Sequence, residues 1–323
     1  MPPQTIPLEL FGRPFLLAEA KSAGLTAQVL RGRRFRRLFC TAYVVASAPD
    51  SLATKVDALR LLLPPDALLS HETAALLRGL PIPPPDRLHV TVPPGVRGPR
   101  LAGVCTHRGS PAASTREGRR LTAPADNFLE LAETLSLVDL VILGDAMVGM
   151  DLLTCAELVD AVARTSRRRG VRMARRAAAL VRPRVDSPME TRLRLLIVFA
   201  GLPEPTTNFT VRDGDGGWIG VVDLAYDAIR IAIEYHGDVH RGTPGKWRSD
   251  IAKAELLYRL GWRVIILTAD DIYLRPAQTL RRVCEALVDA HHPGVPADLD
   301  PAWRQHFGRD DQLTRTGQQR AVS

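Results

Sequence analysis

The sequence lacks any long apolar run. Its 323 residues are 46% hydrophobic, yet none of their runs approaches the roughly 18 uninterrupted apolar residues typical of a membrane helix. The N-terminal segment also lacks a basic stretch followed by an apolar stretch and a cleavage site, the pattern of a secretory signal. We therefore expect a cytoplasmic protein with no membrane partner. A chain of this length can form two or three domains, each with its own core.

Cysteine is scarce and has no metal-ligand spacing. The chain contains four cysteines, which are Cys40, Cys105, Cys155 and Cys284. Because no two of them form a Cys-x-x-Cys pair, the sequence favours neither a disulfide framework nor a structural zinc held by thiolates. We expect these side chains to be buried thiols.

Lysine is also rare, so arginine supplies nearly all of the positive charge in a chain of net charge +8. The first cluster of arginines comprises Arg31, Arg33, Arg34, Arg36 and Arg37. The second contains no acidic residue and comprises Arg164, Arg167, Arg168, Arg169, Arg172, Arg175, Arg176, Arg182 and Arg184. The guanidinium group matches phosphate geometry, so the clusters indicate DNA, contacted through its backbone, as a partner. Solvated surface arginine in an arginine-rich composition is the alternative.

Two acidic residues interrupt apolar segments that we predict to be neighbouring strands. Asp223 lies in the segment 221–224, and Glu234 lies in the segment 231–240. With a period of two, Glu234 and His236 share one strand face, and the other face carries Ile229, Ile231, Ile233 and Tyr235. Unpaired acids are costly in apolar strands, and two nearby carboxylates suit a hard cation. The pattern predicts a Mg²⁺ or Mn²⁺ site with Asp223 and Glu234 as ligands.

With Glu190 upstream, these residues follow the order Glu, Asp, Glu-x-basic on a hairpin. This order resembles the PD-(D/E)XK nuclease core, with Glu190 as the outer carboxylate and His236 in place of the usual lysine. The stretches 237–240, 247–253 and 260–264 resemble the very-short-patch-repair endonuclease branch, and also bacterial proteins that carry a repair-endonuclease-like C-terminal domain. The resemblance covers about residues 186–290. It departs from the family in lacking the cysteine and histidine cluster that holds the zinc of repair endonucleases.

The resemblance implies a restriction-endonuclease-like αβα domain with a mixed central sheet, which hydrolyses phosphodiester bonds with a divalent cation. His236, His240 and Lys253 are then the candidates for orienting or protonating a reacting group. Structural alternatives stay open for each acid. Ser187, Pro188 and Glu190 also fit a capping box, with Glu190 reaching back to the cap amide. Asp223 fits a pair with an arginine, Glu234 fits a solvated pair with Arg230, and Lys253 fits an exposed helix face.

The N-terminal region predicts a small helical reader of DNA. A helix over 16–24 ends at Gly24, a second helix follows over 25–31, and 33–45 alternates basic and aromatic residues like a wing. This arrangement resembles the winged-helix head of AbiEi-type antitoxins. That resemblance makes a partner toxin a possible second partner and leaves the oligomeric state open.

The order of elements that follows resembles the antitoxin body. We predict a helix over 69–80, strands over 88–92 and 104–107, and helices near 126–135 and 155–165. His71, His89 and His107 lie in these elements without metal-ligand spacing, and we assign them no chemistry.

The sequence thus predicts an α/β protein with four regions. They are a winged-helix head (1–50), an α+β middle region (51–185), a PD-(D/E)XK nuclease-like domain (186–290) and a partly ordered tail (291–323). Two functions fit this organisation. The first is a metal-dependent DNA endonuclease guided by its winged helix, and the second is a non-enzymatic DNA-binding regulator of the antitoxin type with a degenerate nuclease fold.

Overall fold

The computed structural model describes residues 5–237 and 253–308. The chain forms two compact units, Met1–Leu131 and Ala132–Ser323. This division falls inside the predicted middle region, so the helices that follow Ala132 belong to the C-terminal unit. Within the described ranges, no helix is both long enough and apolar enough to cross a lipid bilayer.

A three-stranded antiparallel sheet organises the start of the N-terminal unit. Its elements are β1 (Phe15–Leu16), α1 (Leu17–Ser22), β2 (Phe35–Arg37) and β3 (Ala42–Val45). The strand order is β1-β3-β2. Phe15 packs edge-to-face against Phe35 with ring centroids 6.1 Å apart, so Phe35 and Tyr43 of the predicted wing are buried in a small core with Phe15.

Two expectations for this segment are wrong. The predicted second helix over 25–31 is instead a single 3-10 turn, Val29–Arg31. The segment lies between Gly24 and Gly32 and is too short to offset the cost of nucleating an α-helix. Cys40 is exposed, because it lies in the turn between β2 and β3, and the other three cysteines are only partly buried.

A five-stranded mixed sheet forms the rest of the N-terminal unit. Its elements are α2 (Leu52–Arg60), β4 (Leu68–Leu69), α3 (His71–Leu77), β5 (Leu88–Val92), β6 (Val104–Arg108), β7 (Ala113–Arg116), β8 (Arg119–Thr122) and α4 (Pro124–Leu131). The strand order is β6-β5-β4-β8-β7, with β5–β6 and β4–β8 parallel. The predictions of strands over 88–92 and 104–107 are confirmed. The predicted helix over 69–80 is confirmed in its centre, and it ends before Gly79, whose φ of 79° suits glycine.

Four helices open the C-terminal unit. They are α5 (Leu137–Gly149), α6 (Cys155–Arg164), α7 (Val171–Ala178) and α8 (Pro188–Phe199). Helix α6 confirms the helix predicted over 155–165 and begins with a capping box formed by Thr154 and Glu157. Ser187 caps α8 and Pro188 occupies its first turn, as the sequence predicts.

A four-stranded mixed sheet completes this unit. The remaining elements are β9 (Thr206–Arg212), β10 (Trp218–Tyr226), β11 (Ile231–Tyr235), α9 (described over 253–259), β12 (Arg263–Leu267), α10 (Ala269–Tyr273), α11 (Pro276–Asp289) and α12 (Arg304–Phe307). The strand order is β12-β11-β10-β9, and β11 and β12 are parallel. Ile229 does not belong to the predicted strand, because Arg230 turns the chain with a φ of 53°. Trp303 and Phe307 of the predicted tail are buried.

Helices combined with mixed sheets put the chain in the α/β class, as predicted from the sequence. The winged-helix, antitoxin-like and restriction-endonuclease-like assignments of the individual regions remain predictions.

A buried ion pair connects the helices of the C-terminal unit. Arg194 is 0% exposed and donates to Asp145 and Glu204, at 2.9 Å each. Asp145 also accepts hydrogen bonds from the Arg182 amide and the Thr191 hydroxyl. Burial raises the pKa of Asp145, and the charge of Arg194 opposes that rise. The pair therefore holds α5 and α8 together, provided that both partners are present.

We expect Arg194→Met to lower the free energy of unfolding by about 3–5 kcal/mol, because it leaves Asp145 buried without its cation. The double variant with Asp145→Leu should recover much of this loss, since it removes both charges. Urea unfolding followed by tryptophan fluorescence measures the change, because all four tryptophans of the sequence fall in the C-terminal unit.

The matched control is Arg263→Gln, which breaks the exposed Arg263–Asp289 pair and should cost less than about 1 kcal/mol. Equal losses in Arg194→Met and Arg263→Gln would contradict the structural role of the buried pair.

Candidate functional site

The pairing of β10 with β11 brings the predicted acids next to each other where this pairing ends, a place that we call the sheet end. Leu224 pairs with Ile233 in antiparallel register, so the next positions outward are Asp223 and Glu234. Both carboxylates therefore stand at adjacent strand positions, as the sequence predicts.

Helix α9 adds a lysine to these acids. Ala232 lies in a core cluster with Leu257 of α9, and the two-residue period of β11 directs Glu234 to the same face. There Lys253 Nζ donates to Glu234 Oε1 at 2.5 Å and to the carbonyl of Val221. The structure thus pairs Glu234 with Lys253. Arg230, the partner considered from the sequence, instead donates to the carbonyl of Leu260.

Asp223 is held by the backbone of the opposing strand. Its Oδ2 accepts a hydrogen bond from the Tyr235 amide at 2.7 Å. Burial raises the pKa of the Asp223 carboxyl above its ordinary value. The Tyr235 hydrogen bond and the charges of Lys253 and His236 oppose that rise, whereas Asp186 adds to it. Among the described residues, the cations that stabilise Asp223 are therefore Lys253 and His236, and not the arginine considered from the sequence.

Glu190 combines a capping position with a place in the acidic group. Its amide donates to the Ser187 hydroxyl at 3.2 Å. Its carboxylate, however, accepts from the Asp186 amide at 3.0 Å, so the expected contact with the amide of the cap residue is replaced by one with its neighbour. Glu190 is 7% exposed; burial raises its pKa, and the charges of Asp223 and Asp186 add to the effect.

Of the two histidines predicted near this group, the structure describes only His236. His236 directly follows β11, and its amide donates to the carbonyl of Leu267. Its charge acts on Asp223, as described above. His240 lies outside the described residues, as does most of the basic stretch 247–253.

A further acid of this group, Asp186, was not predicted from the sequence. Asp186 raises the pKa of both Glu190 and Asp223 by its charge, so it lies close enough to interact with both. Its position just before the cap residue Ser187 was the available signal.

The donor atoms fit a hard divalent cation, because Mg²⁺ prefers oxygen ligands and is usually held by one or two carboxylates with water completing its shell. No three acidic groups of the described residues come within 4.8 Å of one another. A pair of carboxylates with water completing the shell is therefore what this site can offer an ion, and Asp223 and Glu234, on paired strands, are the candidates.

The arginines of the first cluster differ in their exposure and contacts. Arg31, Arg33 and Arg37 are exposed. Arg36 instead donates to the carbonyl of Ala48 at 2.7 Å and pairs with Asp50 at 3.6 Å. Three of the five residues predicted to contact DNA are thus exposed.

Fold and site together define an α/β protein with an acidic sheet end and an adjoining lysine. No family model matches the chain. Over 250 residues the chain is 30% identical to "Uncharacterized protein Rv2248" of Mycobacterium tuberculosis H37Rv. The matched residues cover 77% of this chain and 91% of that protein. It matches "Uncharacterized protein MT2308" of strain CDC 1551 to the same extent. The chain belongs to the family of these mycobacterial proteins.

Because burial raises the pKa of Asp223, its ionised form opposes folding at neutral pH. We expect Asp223→Asn, measured in EDTA, to raise the melting temperature at pH 7. The folded protein binds the proton more tightly than the unfolded chain, so this advantage should appear as pH rises above the ordinary pKa of 3.8. Below that value it should vanish.

Asp227→Asn is the matched control, since Asp227 is an exposed acid in the turn after β10. Its melting temperature should equal that of the wild type throughout. A lower melting temperature for Asp223→Asn at pH 7 would mean that the carboxylate stabilises the fold, contrary to this prediction.

Proposed function

We propose that this protein is a metal-dependent endonuclease that hydrolyses phosphodiester bonds in DNA. The observation that carries the proposal is the grouping of Asp223, Glu234 and Lys253 at one sheet end, with Glu190 as a buried neighbour. Acids with pKa values raised by burial are more common at functional sites than on solvated strand faces.

In this proposal, Asp223 and Glu234 would hold Mg²⁺ or Mn²⁺, which when bound would offset negative charge on the phosphate oxygens and lower the pKa of a bound water. Lys253 pairs with Glu234 and would add positive charge beside a phosphate bound at this site. Glu190 and Asp186 add negative charge that strengthens cation binding.

The lysine expected on the strand is replaced in space by Lys253. In the sequence pattern that position is His236. In the structure an amine reaches Glu234 from α9 at 2.5 Å. We therefore assign the role of the basic group to Lys253 ahead of His236 and His240.

A second function is supported by the same ion pair. Lys253 balances the charge of Glu234 without a metal ion. A degenerate nuclease fold that binds no metal needs such a balance in order to remain stable. In that case the protein is a DNA-binding regulator of the antitoxin type, acting with a partner toxin. DNA binding is common to both functions, and cleavage separates them.

We expect the purified full-length protein to nick supercoiled plasmid DNA with Mg²⁺ or Mn²⁺ and to be inactive in EDTA. Asp223→Asn and Glu234→Gln should each lower the rate by about 100-fold or more, because they remove ligands of the ion. Lys253→Met should lower it by roughly 10²- to 10⁴-fold if its amine positions or protonates a reacting group. Agarose gel densitometry over time gives these rates.

Asp227→Asn is again the control and should cleave like the wild type, since it removes an acid near the same sheet but outside the site. His236→Ala and His240→Ala identify the basic group. A larger loss in either than in Lys253→Met would overturn the assignment of Lys253. A wild type that cuts no DNA with any divalent cation would leave the regulator as the function.

DNA affinity should fall steeply with salt, because each neutralised phosphate releases a counterion. We expect the triple variant Arg31→Gln, Arg33→Gln, Arg37→Gln to bind more weakly. The slope of log K against log salt should become shallower by about 0.9 per lost contact, or up to about 2.7 in total. Fluorescence anisotropy with labelled duplex DNA measures both quantities.

A triple variant of Arg87, Arg97 and Arg100 to Gln is the matched control, because these exposed arginines belong to the same unit but lie outside the cluster. Equal slopes for the two triple variants would show that net charge, and not the cluster, sets the affinity.

A further inference from the structure

Three histidines that are far apart in sequence meet in the N-terminal unit. His71, His89 and His107 each offer a ring nitrogen, and these three atoms lie within 4.8 Å of one another. The rings of His71 and His107 are stacked with centroids 3.7 Å apart. His89 Nδ1 lies 2.9 Å from His107 Nε2, within hydrogen-bond distance.

The pairing of β5 with β6 and the position of α3 bring the three histidines together. Strands β5 and β6 are parallel, and Thr91 pairs with His107. Since residues two apart share a strand face, His89 and His107 lie on the same face, at diagonal positions. Helix α3 packs at this face, where the hydroxyl of Thr73 accepts from the His89 amide at 2.7 Å, and His71 is its first residue.

The backbone of His71 is held in an uncommon conformation by buried polar groups. Its φ is 50°, in the left-handed region that few residues other than glycine adopt. Its amide donates to Glu130 at 2.9 Å, and its carbonyl accepts from Asn127 at 2.9 Å. Such strain persists where surrounding contacts enforce it, and it concentrates at functional sites.

Polar groups hold the ring of His71 from its Nδ1 side. The Ser70 hydroxyl lies 3.1 Å from His71 Nδ1, and Glu130 Oε2 lies 3.7 Å from the same nitrogen. Partners on one ring nitrogen orient an imidazole in metal centres and leave its other nitrogen as the ligand. Glu72 Oε2 lies 3.5 Å from His89 Nδ1, the nitrogen that faces His107, so Glu72 adds negative charge beside the three rings.

From this geometry we infer that His71, His89 and His107 form a binding site for a divalent transition-metal ion of the zinc type. Imidazole is a ligand of intermediate softness that suits Zn²⁺ and its neighbours, whereas Mg²⁺ prefers oxygen. Zn–N bonds of about 2.0–2.1 Å place two ligands on a tetrahedral ion about 3.4 Å apart. One pair of these nitrogens lies 2.9 Å apart and all three lie within 4.8 Å of one another, so small ring adjustments would bring them to that spacing.

Three protein ligands leave the fourth position of a tetrahedral ion to water or a small ligand. Sites that keep such a position are typical of zinc centres with chemistry, and closed four-ligand sites are typical of structural zinc. The three-histidine site thus has the ligand count of the first kind. It belongs to the N-terminal unit and does not depend on the nuclease proposal.

The test uses the full-length protein, stripped with chelator and titrated with Zn²⁺ alone in a calorimeter. We expect one equivalent to bind, and excess Mg²⁺ not to displace it. His89→Gln and His107→Gln should each weaken binding by more than about 100-fold, and Glu72→Gln should weaken it less, because it removes only a negative charge beside His89. Far-ultraviolet circular dichroism checks that each variant is folded.

His291→Gln is the matched control, because His291 is an exposed histidine of the other unit. It should bind Zn²⁺ like the wild type. Undiminished stoichiometric binding in the folded double variant of His89 and His107 would overturn the site, as would no binding by the wild type.

Should those variants fail to fold, X-ray absorption of the zinc-loaded wild type decides. Backscattering from three imidazoles supports the site, and a shell of oxygen or fewer imidazoles rejects it.

Discussion

The antiparallel pairing of Leu224 with Ile233 fixes the chemistry of the C-terminal unit, because it decides which side chains share a face at the sheet end. A slip of one residue would reverse every side chain of β11. Glu234 would then point away from α9, and the Lys253 pair would be lost. The packing of Ala232 of β11 in one core cluster with Leu257 of α9 resists that slip. Ordinary core packing therefore holds this group of charged residues in register.

That group opposes folding unless each acid is compensated. Burial raises the pKa of both Glu190 and Asp223, which means that their charged forms are less stable inside the protein than in water. The compensation is local: Lys253 for Glu234, the Tyr235 amide for Asp223 and the Asp186 amide for Glu190. A divalent cation would stabilise the same acids further, and so cation binding and stability should rise together.

Local patterns in the sequence predict local structure well. Alternating residues identify β5 and β6, and Ser187 with Pro188 identifies the start of α8. Helix α5 was missed because nine of its thirteen residues are buried, so no apolar stripe alternates with a polar face. Contacts between distant residues were also beyond the sequence. Lys253 was a candidate basic group from the sequence, but its contact with Glu234, 19 positions away, depends on the fold. The histidine cluster likewise depends on the pairing of β5 with β6.

The two candidate sites offer different donor atoms, and we therefore expect each to bind a different kind of cation. The acidic sheet end offers oxygen atoms, which bind hard cations that keep part of their water shell. The histidine cluster offers neutral nitrogen, which binds Zn²⁺ and similar ions far more strongly than Mg²⁺. Because the sites belong to different compact units, a cation at one contributes to the stability of its own unit. Loss of metal at the histidines therefore need not impair the acids, and each site can be examined with the other intact.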